Sequence, residues 1–169
     1  NIEGYPSEFF IKEVIKNNPH QVTLVPDPPE AVTSSFGWNC KENKNLLKEV
    51  VSEFKSNKIR VSLFVSPSIE NLENLTEIKT DRVELYTFDY AKNYLSNCES
   101  SIAPYLEVSN FIQTNFPNIE LNAGHDLNLE NLSFILAKIP TIKEVSIGHA
   151  LVCDAFIFGL EKTIAKYKY

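Results

Sequence analysis

Residues 119–125 read Ile-Glu-Leu-Asn-Ala-Gly-His, an apolar, strand-like run that ends in a glycine and a histidine. Residues 144–149, Glu-Val-Ser-Ile-Gly-His, end in the same way, and each run leads directly into a helical pattern. A strand of this kind places an imidazole beside the free N–H groups of a helix N-terminus, which suits proton transfer next to a bound anion. We therefore predict that Gly124-His125 and Gly148-His149 lie side by side on one face of a parallel sheet and share one site.

Strand-like and helical patterns alternate along the whole chain. Strands are predicted at residues 1–3, 21–26, 60–66, 82–87, 119–124 and 144–149. Apolar stripes at helical spacing predict helices that include residues 9–15, 46–54 and 129–139, the last of these with Asn128 as its N-cap, and a final helix runs over residues 150–166. Repeated strand-then-helix units are typical of a parallel sheet with helices outside it.

Two fold classes fit six such units: a doubly wound open sheet and a (β/α)8 TIM barrel. An open sheet that binds a dinucleotide has a glycine-rich first turn, which this chain of 5 glycines lacks. A barrel binds phosphate at the ends of its last two strands, where the two Gly-His pairs lie. We predict a single (β/α) barrel domain over residues 1–169 that lacks the first two units, with the open sheet as the alternative.

The composition restricts the class of partner and the compartment. The net charge of -6 argues against binding to nucleic acid or to an anionic membrane. Cys40, Cys98 and Cys153 are far apart and odd in number, so we interpret them as free thiols of a cytoplasmic protein. Because no cluster has metal-ligand spacing, we expect no metal and no cofactor.

Four side chains are the leading candidates for chemistry. His125 and His149 both follow a glycine at a strand end, although a histidine there can also serve only local hydrogen bonds. Glu84 lies within an apolar strand, where a buried carboxylate is costly unless it is paired or used; the alternative is that it points outward to a lysine. Glu3 ends a strand just before Gly4.

The polar loop at residues 33–38, Thr-Ser-Ser-Phe-Gly-Trp, supplies hydroxyl groups and free amides that suit a sugar phosphate. The signal from such a loop is weak by itself, because loops rich in hydroxyl groups are common.

Taken together in chain order, these motifs resemble the pyridoxine 5'-phosphate synthase family of the deoxyxylulose-dependent route to vitamin B6. The matching segments are residues 1–6, 21–26, 32–33, 61–64, 83–87, 122–125 and 147–150. The resemblance implies a (β/α)8 TIM barrel that forms a homo-octamer. It also implies a transferase that condenses 1-deoxy-D-xylulose 5-phosphate with 3-amino-2-oxopropyl phosphate and releases phosphate and water.

The resemblance also assigns roles to individual residues. Glu3 matches the second general base, His125 the general acid, and Glu84 a carboxylate that stabilises a transition state. Four residues match contacts to the two phosphorylated substrates: Thr33 to the deoxyxylulose phosphate, and Asp126, Gly148 and His149 to the aminooxopropyl phosphate. A ring closure of this kind needs several proton transfers and no redox step, so carboxylates and imidazoles suffice.

The chain departs from the family in three ways. The family's Asn-Ile-Asp-His, His-Leu-Arg and Arg-Arg-His segments, which carry the first general base and phosphate-binding arginines, do not occur in this sequence. Asp126 replaces a glycine, and Phe88 follows Thr87 where the family has glycine. Two alternatives therefore stay open: another phosphate-binding barrel enzyme, such as an isomerase or aldolase, and a non-catalytic barrel module.

Overall fold

The computed structural model describes residues 1–28, 30–31 and 33–168, and within them six strands alternate with helices. The strands are β1 (Ile2–Gly4), β2 (Gln21–Leu24), β3 (Arg60–Val65), β4 (Arg82–Tyr86), β5 (Glu120–Gly124) and β6 (Ile142–Ser146). The helices are α1 (Glu8–Asn17), α2 (Lys44–Ser56), α3 (Leu75–Ile78), α4 (Phe88–Asn93), α5 (Cys98–Asn115), α6 (Leu132–Lys138), α7 (His149–Phe158) and α8 (Leu160–Tyr167), and a 3-10 turn spans Ile69–Leu72. All six predicted strand-then-helix units are thus confirmed.

Local sequence accounts for the first helices. The Ser7 side chain caps α1 by accepting a 3.2 Å hydrogen bond from the N–H of Phe10. The same helix ends where Asn18 adopts a left-handed φ of 45°, which asparagine tolerates better than most residues. Helix α2 buries four of the five residues of its predicted apolar stripe, Leu47, Val50, Val51 and Phe54, and leaves Leu46 half-buried. Burial of such a stripe against a sheet is the main source of helix stability in a protein.

The strands form one parallel sheet whose order, β1 to β6, follows the chain without reversal. A doubly wound sheet reverses its strand order in the middle, so the doubly wound alternative is wrong. Strand side chains alternate between the two faces. In β3, Val61, Leu63 and Val65 join the main core beneath the helices, whereas Phe64 belongs to a separate cluster on the opposite face.

Side-chain contacts across the sheet show that it is curled. The Gln21 amide nitrogen of β2 donates a 2.8 Å hydrogen bond to Glu144 Oε1 of β6. In a flat sheet these strands would be about 19 Å apart, four spacings of 4.8 Å. Arg82 of β4 reaches the same carboxylate, with Nη1 2.8 Å from Oε2. The protein is therefore a parallel α/β structure with a curled six-stranded sheet whose concave face carries polar side chains.

Three local predictions were wrong. Helix α6 begins at Leu132, because the Asn128 side chain accepts hydrogen bonds from the N–H groups of Glu130 and Asn131 and so closes a turn before the helix. Strand β6 spans residues 142–146 rather than 144–149, and its pairing with β5 contains a register shift at Leu121/Asn122.

The third wrong prediction is the single C-terminal helix. Gly159, with φ of 83° and ψ of 148°, separates α7 from α8. Helix α7 has no buried residue, and the two helices expose apolar side chains at Val152, Phe156, Ile157, Phe158, Leu160 and Ile164. None of the helices in the described part of the chain combines the length and the apolar character needed to cross a membrane.

Candidate active site

A cavity of about 410 Å³ lies at the carboxyl ends of the strands. It is lined by Asn1, Glu3, Thr33, Phe64, Glu84, His125, Asp126, Ser146, Ile147, Gly148 and His149. All seven predicted site residues are in this set, and the two Gly-His pairs meet there, so the predicted proximity of these pairs is confirmed. Parallel strands bring residues distant in sequence to one edge, which is why barrel enzymes carry their chemistry there.

Glu84 points into the concave face and is 1% exposed, so the outward orientation considered above is wrong. Its Oε2 accepts a 3.2 Å hydrogen bond from the hydroxyl of Thr23, and its Oε1 has no aligned partner among the described residues. Burial raises the pKa of Glu84 to about 7, and the negative charge of Glu3 acts in the same direction, although the nearby Ser146 and Thr23 hydroxyls partly offset both. Glu84 therefore holds or releases a proton near neutral pH.

Gly124 makes room for this carboxylate. An ideal Cβ placed on Gly124 would overlap Oε1 of Glu84 and would lie 3.1 Å from Cβ of Ser146. The glycine of the first Gly-His pair is thus required by the close approach of a catalytic candidate on the neighbouring strand.

His125 is held by its surroundings at the end of β5. Its φ is 93°, and the Thr87 hydroxyl donates to the carbonyl oxygens of Gly124 and His125, which supports this left-handed turn. The imidazole Nε2 lies 3.0 Å from Oγ1 of Thr33, and the Tyr86 ring meets it edge-on with centroids 4.8 Å apart. These contacts orient a proton-transfer group toward the cavity.

The loop predicted to bind a sugar phosphate crosses the ends of β2 to β5, and we call residues 33–38 the strap. The backbone N–H of Trp38 donates to the carbonyl of Phe64 at 2.8 Å, and the Tyr86 hydroxyl donates to the carbonyl of Ser34 at 3.2 Å. A Cβ on Gly37 would overlap the backbone of residues 65–66, so only glycine fits where the strap touches β3. Val32, which precedes Thr33 in the segment 32–33 that carries the family resemblance, lies outside the described residues.

Glu3 is the middle residue of β1 and lies beside His125 and Asp27. Its carboxylate is open to solvent through the cavity, yet partial desolvation raises its pKa; His125 lowers the pKa and the charge of Asp27 raises it. Because water reaches the group, we expect a smaller rise than that of Glu84. A carboxylate with a raised pKa, hydrated and facing the cavity, is suited to act as a base.

Gly148 and His149 form the start of the ten-residue helix α7, with Gly148 as N-cap. A Cβ on Gly148 would meet nothing within 4 Å, so the approach to the helix N-terminus is open. The N–H groups of the first turn and the helix dipole favour an anion here. Asp126, whose φ is 56°, also lines the cavity, and its charge opposes an anion.

The sequence patterns missed several residues of this region. Phe64 and Ser146 line the cavity, Thr23 contacts Glu84, and Asp27 contacts the strap. The alternation of side chains along β3 could have identified Phe64, since it pairs in register with Glu84. Asp27 and its strap contact had no signal in the sequence, because they depend on a loop that folds back. Among the described residues no three His, Cys, Asp or Glu side chains are grouped as a metal site.

Comparisons with known proteins identify the family of this chain. The family described as "Pyridoxal phosphate biosynthesis protein PdxJ" matches residues 1–169. A pyridoxine 5'-phosphate synthase of Parabacteroides distasonis is 51% identical over 168 residues, and one of Bacteroides thetaiotaomicron is 50% identical. Both alignments cover 99% of this chain and 70% of the relative.

Among solved structures, a Thermobaculum terrenum O-GlcNAc hydrolase mutant superposes with a TM-score of 0.58 at 16% identity, over 98% of this chain and 44% of that chain. At that identity the likeness concerns the fold alone. The family model matches the whole chain, and two relatives are about 50% identical to it. This chain therefore belongs to the PdxJ family of pyridoxal phosphate biosynthesis proteins.

Proposed function

We propose that this chain is a pyridoxine 5'-phosphate synthase, which condenses 1-deoxy-D-xylulose 5-phosphate with 3-amino-2-oxopropyl phosphate and releases phosphate and water. The observation that carries the proposal is the meeting of Glu3, Glu84 and His125 with the N-terminus of α7 in one cavity of about 410 Å³. Relatives that are about half identical to this chain over 168 aligned residues bear this enzyme's name.

The three titratable groups fit three proton-handling roles. Glu3, hydrated and with a raised pKa, acts as general base on a substrate C–H or N–H. His125, fixed by Thr33 and Tyr86, acts as general acid toward a leaving oxygen. Glu84, with a pKa of about 7 in a buried position, stabilises positive charge that develops on the condensing amine.

The substrates' phosphate groups bind at two places around these residues. The N–H groups of the first turn of α7, with Gly148 and His149, hold the aminooxopropyl phosphate beside Asp126. Thr33, on the strap, contacts the deoxyxylulose phosphate. The reaction then takes place between the two anchors, within reach of Glu3 and His125.

We further propose that the sheet is part of a complete (β/α)8 barrel, whose two additional units bring the first general base and phosphate-binding arginines, and that the barrels form a homo-octamer. The relatives extend beyond the matched 70% of their length, and the apolar surface of α7 and α8 is open to such packing. Free Cys40, Cys98 and Cys153 support a cytoplasmic location.

The alternatives have less support. A Schiff-base aldolase needs a lysine, and no lysine lines the cavity in the part of the chain that the structure describes. A non-catalytic module has no use for a buried carboxylate with a pKa near 7, which is typical of working acid–base groups.

The test uses the full-length protein with both substrates, following pyridoxine 5'-phosphate by chromatography and phosphate release by colorimetry. We expect both products in equal amounts, and their loss when either substrate is omitted. Binding of the substrates without any turnover would support the non-catalytic module instead.

A further inference from the structure

Asp27 is a buried carboxylate near the active site to which none of the proposed steps assigns a role. It follows β2 and is 6% exposed. Together with Glu3, Thr33 and His125 it lines a second cavity of about 340 Å³, which therefore shares three residues with the first. A carboxylate is rarely buried unless its hydrogen bonds are used, so its partners indicate its function.

One oxygen of Asp27 fastens the strap. Asp27 Oδ1 accepts hydrogen bonds from the N–H of Ser35 at 2.9 Å and from the hydroxyl of Ser35 at 3.1 Å. Hydrogen bonds to an ionised acceptor are about twice as strong as those between neutral groups. Ser35 lies two residues after Thr33, the strap residue that meets His125 at 3.0 Å.

The other oxygen leaves a charge beside the base. Asp27 Oδ2 is buried and has no hydrogen-bond partner among the described residues. Burial is the main cause of the raised pKa of Glu3, and two side chains act on it electrostatically: His125 lowers the pKa, whereas Asp27 raises it.

We propose that Asp27 is a positioning residue of the synthase reaction: it fastens the strap through Ser35, so that Thr33 stays against His125. The negative charge of Asp27 also opposes ionisation of Glu3. The inference rests on the proposed function for its kinetic consequences. The fastening of the strap is a property of the structure that can be measured without turnover.

Three variants of the full-length protein separate the two effects. Asp27→Asn keeps an acceptor oxygen for Ser35 and removes the charge. Ser35→Ala removes one hydrogen bond and keeps both the charge and the backbone N–H contact. Asp27→Ala removes the charge and both hydrogen bonds, and circular dichroism checks that each variant is folded.

The kinetic test compares KM, kcat and the pH profile of kcat/KM. For Ser35→Ala we expect KM for deoxyxylulose phosphate to rise about 3- to 10-fold with an unchanged profile, because one hydrogen bond that holds Thr33 is lost. For Asp27→Asn we expect the acid limb to move to lower pH, since loss of the negative charge lowers the pKa of Glu3. Asp27→Ala should show both changes.

Amide hydrogen exchange at Ser35 is the readout that needs no turnover. We expect faster exchange in Asp27→Ala than in the wild type, and near-normal protection in Asp27→Asn. Unchanged exchange in Asp27→Ala would overturn the fastening role. An unchanged acid limb in an active Asp27→Asn protein would overturn the electrostatic role. An inactive wild type with the expected exchange pattern would refute the proposed function and leave the strap contact standing.

Discussion

Gly124 of β5 and Glu84 of β4 occupy complementary space: the missing side chain of the glycine is where Oε1 of the carboxylate lies. Their register positions differ by two residues, because Glu84 lies opposite Asn122 and Tyr86 lies opposite Gly124. The small residue of a motif that first suggested phosphate binding thus also shapes the acid–base centre.

Replacing Gly124 with alanine is expected to destabilise the protein by about 1–3 kcal/mol, because the new methyl group overlaps the Glu84 carboxylate. We also expect turnover to fall, since Glu84 must move. Urea denaturation and kcat measure the two effects. Gly148→Ala is the matched control for stability, because a Cβ there meets no atom within 4 Å; equal losses in both variants would contradict the packing explanation.

The raised pKa of Glu84 predicts a specific dependence of stability on pH. Its pKa is about 7 in the folded protein and 4.5 as its reference value, so the folded state binds the proton more tightly. The stabilisation that the protonated Glu84 gives the folded state is fully present below pH 4.5 and is lost as pH rises through 7. The free energy of unfolding falls by about 3 kcal/mol over this range. We expect Glu84→Gln to remove this decline. Urea denaturation of the wild type and of Glu84→Gln at pH 5 and pH 8 measures this effect. An equal change in the free energy of unfolding between the two pH values in both proteins would contradict the assignment of the decline to Glu84.

His125→Asn is expected to lower kcat about 10²- to 10⁴-fold, because it removes proton transfer. Asparagine accepts the left-handed backbone of this position, where φ is 93°, so the fold should persist. KM should change far less, since the N-terminus of α7 still holds phosphate. Near-normal kcat would exclude His125 as the acid, and a raised KM with intact kcat would make it a binding residue. Thr33→Val, which removes the contact to Nε2 and the proposed contact to the deoxyxylulose phosphate but keeps the imidazole, should have the smaller effect on kcat.

Asp126→Gly should strengthen binding of the phosphate at α7, because a negative charge leaves the cavity. It should also relieve the left-handed backbone at φ of 56°, for a gain of stability of up to about 1 kcal/mol. Asp126→Asn removes the charge and keeps a side chain at that position. Calorimetry should therefore show tighter binding of 3-amino-2-oxopropyl phosphate to both variants. Unchanged affinity in both would show that the charge of Asp126 does not weaken phosphate binding.

Arg82 is expected to be a large contributor to stability at the opposite end of the concave face. It is 7% exposed and pairs with Glu120 at 2.6 Å and Glu144 at 2.8 Å. Arg82→Met removes charge-assisted hydrogen bonds from Glu120 and Glu144, which stay partly exposed to solvent, and should cost about 1–3 kcal/mol. Arg60→Met is the control, because Arg60 is more exposed and lies 3.7 Å from Glu144, so its loss should cost less than about 1 kcal/mol. Similar urea midpoints for the two variants would be the contrary result.

The sequence by itself determined the alternation of strands and helices, the parallel sheet and the set of residues at the strand ends. These features depend on local periodicity, and every predicted strand except β6 agrees with the observed strand to within two residues at each end. Where short-range signals compete, the prediction failed: Asn128 and Asn131 both offer capping groups, and Gly159 turns the chain within an apolar run.

Only the tertiary structure decided which way Glu84 faces, how strongly its pKa is raised and which residues support it. Its desolvation depends on the curl of the sheet, and Thr33 meets His125 across 92 residues of chain. The hydrogen bond from Ser35 to Asp27 likewise depends on a strap that folds back over strand ends. Such contacts join residues that are far apart in sequence, so the local sequence around either residue does not predict them. Burial and electrostatic coupling arise only when the strands are assembled into the sheet.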